Sequence, residues 1–149
     1  MMRAGARPTR LDGQAPITGP LDIPPLRVIV VDDHLLYRQG IVRALEAAGA
    51  IVVGEAGDGW GALELIRGHQ PDVALVDVSM PGLDGIDVVA ELARQGPDVP
   101  VVLLSAHSDA ALVRAGLDAG AAAYVTKAAS REEILAAISR AAGPHGLEG

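Results

Sequence analysis

The chain has 149 residues, half of them hydrophobic, which is enough to bury one substantial core and most simply forms one domain. Its formal net charge of -7 argues against a nucleic-acid surface, and a chain without cysteine has neither disulfides nor thiolate metal sites. The sequence has no apolar span of about 20 residues and no signal-peptide pattern, so we expect a cytoplasmic protein without membrane contact.

Residues 1–25 form a segment of a different character from the rest of the chain. They contain three arginines, scattered glycine and proline, and no sustained apolar period. Such a segment cannot bury enough apolar surface to fold. We therefore expect a disordered tail over residues 1–25 that is dispensable for folding.

Between residues 26 and 142, short apolar runs alternate with amphipathic helical patterns. The predicted strands are Leu26–Val31, Ile51–Ala56, Asp72–Val76, Val99–Leu104 and Ala122–Thr126. The predicted helices are His34–Gly49, Trp60–Arg67, Gly85–Gln95, a helix through Leu112 and Leu117 that ends at Gly120, and a helix after Ser130. Five strand–helix alternations predict an α/β fold with a doubly wound, five-stranded parallel sheet and helices on both faces.

Local signals support several of these helices. Ser108 or Asp109 is a suitable N-cap for the fourth helix, and Ser130 with Glu133 forms a capping box before the last one. Apolar residues at helical spacing predict the buried faces. These residues are Leu35, Ile41, Val42 and Leu45 in the first helix, Ile86, Val89 and Leu92 in the third, and Ile134, Leu135 and Ile138 in the last.

Polar side chains follow four of the five predicted strands. Asp32 and Asp33 follow the first strand, Asp77 the third, Ser105 the fourth and Lys127 the fifth. The carboxyl ends of parallel strands meet at one edge of a sheet, where the chemistry of open α/β folds takes place. Clustered carboxylates suit Mg²⁺, which prefers oxygen ligands, and the cation, the lysine and the hydroxyl together suit a phosphoryl group.

Each of these residues also has a plainer explanation when taken alone. Asp77 is compatible with a turn or a helix N-cap, Ser105 with a local cap, and Lys127 with a solvated surface position. Their coincidence at four strand ends favours the functional interpretation.

Four further side chains are candidates of lower weight. His34 and His107 lie near the predicted site, but Mg²⁺ prefers oxygen, so we do not expect either to be a ligand. We expect Tyr37 and Trp60 to be helix-face or surface aromatics rather than a recognition platform.

The chain resembles the receiver domain of bacterial two-component response regulators over residues 26–142. The resemblance rests on the segments Val30–His34, Leu75–Gly85, Leu103–Ala106 and Ala123–Lys127. It implies a flavodoxin-like sheet with the strand order 2-1-3-4-5. In detail the chain looks most like the subfamily with a C-terminal LuxR/NarL-type helix-turn-helix, although Ala128 replaces the commoner proline or aspartate and the chain has no phenylalanine.

The resemblance implies a role for each site residue. Asp77 is the phosphoacceptor, and Asp33, Asp77 and the backbone carbonyl of Ser79 bind Mg²⁺, with Asp32 contributing through water. Two further roles concern the phosphorylated state. Lys127 holds a phosphate oxygen, while Ser105 and Tyr124 form a switch pair in which the hydroxyl moves toward the phosphate and the aromatic ring follows it inward.

The resemblance also implies a regulatory phosphoacceptor rather than an enzyme. The expected partners are a sensor histidine kinase and a second copy bound through the first and last helices, and the expected output is transcription regulation. No helix-turn-helix follows in the sequence, so we expect no DNA binding by this chain alone. Residues 143–149 would be a tail or a linker remnant of a stand-alone or truncated receiver.

Rival classes fit less well. A flavodoxin-type cofactor binder needs free amides after its first strand, where Asp32 and Asp33 would repel a phosphate. A phosphohydrolase with an aspartate nucleophile would usually carry it after the first strand, whereas Asp77 follows the third. A receiver fold that binds partners without phosphorylation stays open.

Overall fold

The computed structural model describes residues 25–107 and 109–143, and strands alternate with helices throughout this part of the chain. The strands are β1 (Arg27–Val31), β2 (Ile51–Ala56), β3 (Val73–Asp77), β4 (Val101–Ser105) and β5 (Ala123–Thr126). The helices are α1 (Leu35–Ala47), α2 (Gly59–His69), α3 (Gly85–Gln95), α4 (Ala110–Ala119) and α5 (Arg131–Ala142).

The strands form one parallel sheet in the order β2-β1-β3-β4-β5. This confirms the predicted five-stranded, doubly wound α/β fold and its flavodoxin-like strand order. The central strand β3 lies between β1 and β4, and all five of its residues are buried. In β1, all but the first residue are buried as well. The carboxyl ends of these strands therefore converge in the middle of one edge of the sheet.

Two apolar cores cover the two faces of the sheet, because successive strand residues point to opposite sides. Val28 and Val30 of β1 belong to the core that contains α1 and α5 residues. Ile29 and Val31 belong to the core formed with α2 and α3. Helices on both faces explain why the strands are continuous apolar runs rather than alternating ones.

Within the described ranges, no helix is both long and apolar enough to span a membrane. The longest of the helices named above, α1, has 13 residues and carries charged side chains along its length. A membrane-spanning helix needs about 20 predominantly apolar residues.

Most predicted boundaries differ from the structure by one or two residues, and β4 shows why. The sequence predicts a start at Val99, whereas the strand begins at Val101. Pro100 has no backbone N–H to donate, and the Val99 N–H is used in a tight turn to the carbonyl of Pro97, 2.9 Å away. The end of β3 also extends beyond the prediction and includes Asp77.

The predicted inner faces are confirmed for α5, where Ile134, Leu135 and Ile138 are buried. The prediction for Leu35 is wrong, because this residue is 53% exposed at the first turn of α1. The helix turns that end toward solvent, so its buried residues are Ile41 and Leu45 further along. Leu117 of α4 is also exposed, at 44%.

Helix caps follow the sequence signals closely. Ser130 Oγ accepts from the Glu133 amide at 3.1 Å, and the Glu133 carboxylate accepts from the Ser130 amide at 2.9 Å. These two bonds complete the predicted capping box. Asp109 caps α4 through the Leu112 amide. The alternative cap Ser108, the predicted tail before Pro25 and the predicted C-terminal tail after residue 143 lie outside the described residues.

Candidate functional site

Three polar side chains are buried at the carboxyl edge of the sheet. Asp32 follows β1, Asp77 ends β3 and Ser105 ends β4, and their residues are 1%, 2% and 1% exposed. Lys127 follows β5, and its amide donates to the Ser105 carbonyl at 2.8 Å. The structure thus brings together the strand-end residues that the sequence placed at this edge.

The acids form a compact group of oxygen donors. Asp32, Asp33, His34 and Asp77 each offer one atom, and these atoms lie within 4.8 Å of one another. Asp77 Oδ2 is buried and accepts no hydrogen bond, whereas Asp32 Oδ2 pairs with Lys127 Nζ at 2.6 Å. A buried carboxylate oxygen without a hydrogen bond is costly unless a cation neutralises it. The donor set therefore fits Mg²⁺, which Asp33 and Asp77 would hold.

Lys127 supplies a positive charge at the edge of this group. Its Nζ lies 2.6 Å from Asp32 Oδ2 and 3.4 Å from Asp77 Oδ2, and it sits 4.6 Å from the centre of the Tyr37 ring. Burial opposes the charged form, but the two carboxylates outweigh it and raise the pKa of Lys127. The ammonium stays charged beside Asp77, and Tyr37 is a packing partner of that ammonium, as expected of a helix-face aromatic.

The pKa values of the two buried acids are shifted in opposite directions. Burial, followed by the charge of Asp32, raises the pKa of Asp77 to about 6. Burial also acts to raise the pKa of Asp32, but the contact with Lys127 and the His34 amide outweigh it, so this pKa is lowered. Asp32 therefore keeps the lysine as its partner, and Asp77 is the acid whose charge is least compensated.

The ring of His34, which the sequence places near this site, lies directly against the acidic group. Its Nδ1 lies 3.0 Å from Asp32 Oδ1 and 3.2 Å from Asp33 Oδ1. His34 is the N-cap residue of α1 and makes no side-chain cap, so its ring is free to lie against the carboxylates. Its amide also donates to Asp32 Oδ1 at 2.8 Å.

Arg38 also supports the site, although no sequence pattern points to it. Its guanidinium donates to the Asp32 carbonyl at 2.7 Å, to the Ala56 carbonyl at 3.3 Å and to Glu55 Oε1 at 3.1 Å. These bonds fix the loop that carries Asp32 and Asp33 against the end of β2. The available signal was weak, because a single arginine one turn into a helix is normally a solvated residue.

Ser105 and Tyr124 are connected through one backbone segment. Ser105 Oγ accepts from the His107 amide at 3.0 Å, and the Tyr124 hydroxyl donates to the His107 carbonyl at 3.2 Å. Tyr124 lies beside Gly116 of α4, where a β-carbon would come within 3.3 Å of the ring. Ser105 and Tyr124 therefore both bond to the backbone of His107, one to its amide and the other to its carbonyl.

The loop after β3 is fixed close to Asp77. The Val78 amide donates to the Leu104 carbonyl at 2.8 Å, and the Val78 carbonyl accepts from the Gly85 amide at 2.9 Å. Gly85 begins α3 directly against the Asp77 carbonyl. Ser79, whose backbone carbonyl is a predicted ligand, is exposed in this loop. Its role stays a prediction.

Comparison with known proteins identifies the family. The family model described as "Response regulator receiver domain" matches residues 28–139. The "Probable transcriptional regulatory protein NarL" of Mycobacterium tuberculosis is 49% identical over 114 residues, which cover 76% of this chain and 53% of that protein. The "Response regulator UvrY" of Escherichia coli is 41% identical over 114 residues, covering 76% and 52%. The chain thus spans about half the length of these curated relatives.

A solved structure agrees with the sequence comparison. The signal receiver domain of NarL from Mycobacterium tuberculosis superposes with a TM-score of 0.77 at 47% identity, covering 79% of this chain and 96% of that one. This chain, with the strand order and the strand-end acids described above, is thus similar to a receiver domain of known structure. The chain belongs to the response regulator receiver domain family, with relatives among the NarL and UvrY regulators.

Proposed function

We propose that Asp77 accepts a phosphoryl group from a phosphohistidine of a sensor histidine kinase in the cytoplasm, and that Mg²⁺ is required. The observation that carries the proposal is the state of Asp77 Oδ2, which is buried, has no hydrogen bond, and lies 3.4 Å from Lys127 Nζ. A carboxylate oxygen beside a lysine and close to other acids suits the joint binding of a cation, Mg²⁺, and an anionic phosphoryl group.

The transfer is a displacement at phosphorus. An oxygen of the Asp77 carboxylate forms a bond to phosphorus while the bond from phosphorus to the histidine nitrogen of the donor breaks, and the electron pair leaves with that nitrogen. Two negative groups must approach each other, so positioning and charge neutralisation carry the catalysis. Mg²⁺, held by Asp33, Asp77 and the Ser79 carbonyl with Asp32 acting through water, would neutralise part of this charge.

Lys127 and Ser105 serve the phosphorylated state in this proposal. Lys127 exchanges part of its pairing with Asp32 for a phosphoryl oxygen, and the Ser105 hydroxyl donates to another one. When Ser105 turns toward the phosphate, its bond to the His107 amide is lost, and the loop that Tyr124 holds is released. We infer that Ser105 and Tyr124 act as the switch pair by this route.

The output is proposed from the relatives. Their names describe transcriptional and response regulators, so we propose that the switch serves transcription regulation. We further propose that phosphorylation favours a homodimer through α1 and α5, and that this chain alone does not bind DNA. Sizing with Mg²⁺ and a phosphoryl mimic such as beryllofluoride tests the dimer, and a monomer at high concentration would contradict it.

The metal requirement gives a direct test of the proposed function. Labelling by acetyl phosphate should need Mg²⁺ and stop in EDTA. Asp33→Ala should reduce labelling through lost metal affinity, and excess Mg²⁺ should restore part of it. Lys127→Ala is the matched comparison, because we expect it to bind Mg²⁺ yet weaken the phosphorylated state. Labelling of equal extent in EDTA would contradict the metal requirement, and no labelling with Mg²⁺ would favour a binding module that works without phosphorylation.

A further inference from the structure

Lys127 reaches the site through a long, flexible side chain, and several different groups contact its end. Its backbone is fixed, because the Lys127 amide donates to the Ser105 carbonyl at 2.8 Å. Its Nζ lies 2.6 Å from Asp32 Oδ2 and 3.4 Å from Asp77 Oδ2. Two of the contacts of the ammonium are therefore with carboxylates of the acidic group.

Metal binding weakens these two contacts. In the proposed function Asp77 is a ligand of Mg²⁺ and Asp32 acts on the ion through water. The ion then competes with the ammonium for the same oxygens, and its positive charge repels the ammonium. His34 Nδ1 also lies 3.3 Å from Lys127 Nζ, but the His34 side chain is 66% exposed and gives no fixed support. The lysine therefore needs a partner that is independent of the metal.

The ring of Tyr37 offers a contact of this kind. Lys127 Nζ lies 4.6 Å from the centre of the ring, a distance at which the negative face of an aromatic ring attracts an ammonium. Tyr37 lies on α1 and packs against the apolar core that α1 shares with α5. The ring is therefore fixed beside the site, and its attraction for a cation does not change when the acids bind a metal ion.

The ring, and not the hydroxyl, makes this contact. Tyr37 Oη is buried and has no hydrogen-bond partner within the described residues. A buried hydroxyl in this situation does not stabilise the fold. Replacement of Tyr37 by phenylalanine therefore preserves the interaction with the lysine, whereas replacement by an aliphatic residue removes it.

We propose that Tyr37 is a positioning residue that holds the Lys127 ammonium beside Asp77 while the acids bind Mg²⁺. The ring does not touch the reacting atoms and acts only through the lysine. This inference rests on the proposed function, because it identifies the group that keeps the lysine available to a phosphoryl oxygen.

Binding of beryllofluoride to the full chain at saturating Mg²⁺ tests the inference, with fluorine NMR spectroscopy as the measurement. Tyr37→Leu should weaken this binding by about two- to tenfold and leave Mg²⁺ affinity unchanged. Tyr37→Phe is the matched control and should bind beryllofluoride as the wild type does. In a Lys127→Ala background, Tyr37→Leu should have no further effect, because the ring acts through the lysine.

A second measurement needs neither a variant nor the phosphoryl mimic. The ε-methylene protons of Lys127 lie next to Nζ, so the ring current of Tyr37 should shift their proton NMR signal upfield. The shift should persist when Mg²⁺ is added. Its loss on addition of Mg²⁺ would mean that the metal drives the lysine away from the ring, and would overturn the inference.

Two results of the binding experiment would also overturn the inference. One is equal beryllofluoride affinity of the wild type and Tyr37→Leu. The other is an equal loss on Tyr37→Leu with and without Lys127, which would show that the ring contributes only packing. The proposed function is read separately, by Mg²⁺-dependent labelling of the wild type. A chain that keeps the ring-current shift but is never labelled would refute only that function.

Discussion

At the scale of single residues, the buried charge of Asp77 lowers the stability of the fold when no metal cation is bound. Its pKa rises from 3.8 to about 6 on folding, because of burial and the neighbouring Asp32. The folded state thus holds this proton more tightly than the unfolded chain, so stability falls as the pH rises from about 4 to 6. Above that window the full cost is present, on the order of 2–3 kcal/mol.

We predict that Asp77→Asn is more stable than the wild type at pH 8 in EDTA, because it removes the buried charge and keeps the shape. The difference should shrink toward zero near pH 4, where Asp77 is protonated in the folded wild type. Denaturant unfolding at the two pH values measures it. Added Mg²⁺ should stabilise the wild type but not the variant, and a less stable variant at pH 8 would refute this explanation.

Residues of the site divide into those the sequence could reveal and those it could not. Asp77 and Lys127 were predictable because a strand end fixes where a side chain emerges. Arg38 was not, because its contribution depends on where a flexible side chain turns after the backbone is placed, and for His34 the sequence indicated the place but not the contact of its ring with the acids. The guanidinium of Arg38 spans two strand ends, and no local pattern announces that contact.

At the scale of secondary-structure elements, the start of α3 supports the site through a close backbone approach. A β-carbon at Gly85 would collide with the Asp77 carbonyl, whereas one at Gly68 of α2 would meet no atom within 4 Å. We predict that Gly85→Ala destabilises the fold by about 1–3 kcal/mol. The control Gly68→Ala should instead stabilise it by about 0.5–1 kcal/mol.

Thermal unfolding of the two variants measures this contrast, and Mg²⁺ titration adds a second readout. Because the clash is with the backbone of Asp77, Gly85→Ala should also weaken Mg²⁺ binding, and Gly68→Ala should not. Equal stability of the two variants would show that the backbone at the start of α3 shifts to accept the methyl group without displacing Asp77.

Elements themselves were largely predictable, for identifiable reasons. The capping box of Ser130 and Glu133 is a local sequence signal, and both of its hydrogen bonds form in the structure. The start of β4 differs from the prediction because Val99 looks like a strand residue, while the proline at position 100 has no N–H to donate to the ladder and only accepts, from the Ala74 amide. The exposure of Leu35 depends on how α1 meets the sheet, which helical spacing alone does not fix.

At the scale of the whole molecule, the five strands and the residues of both apolar cores in the described part of the chain lie within residues 26–142. We predict that deletion of residues 1–22 leaves the melting temperature within about 2 °C of the full chain, since about 1 kcal/mol corresponds to a shift of roughly 2–8 °C for a domain of this size. Calorimetry of both forms tests this. A loss of several degrees would mean that the N-terminal segment packs on the domain.

The central claim is that Asp77 is the phosphoacceptor, and intact-mass spectrometry after incubation with acetyl phosphate and Mg²⁺ tests it most directly. The matched control is Asp84→Asn, the same change of acid to amide at the N-cap of α3, where asparagine also caps. The wild type and Asp84→Asn should each gain the mass of one phosphoryl group, and Asp77→Asn should gain none. An adduct of equal yield on Asp77→Asn would contradict the assignment.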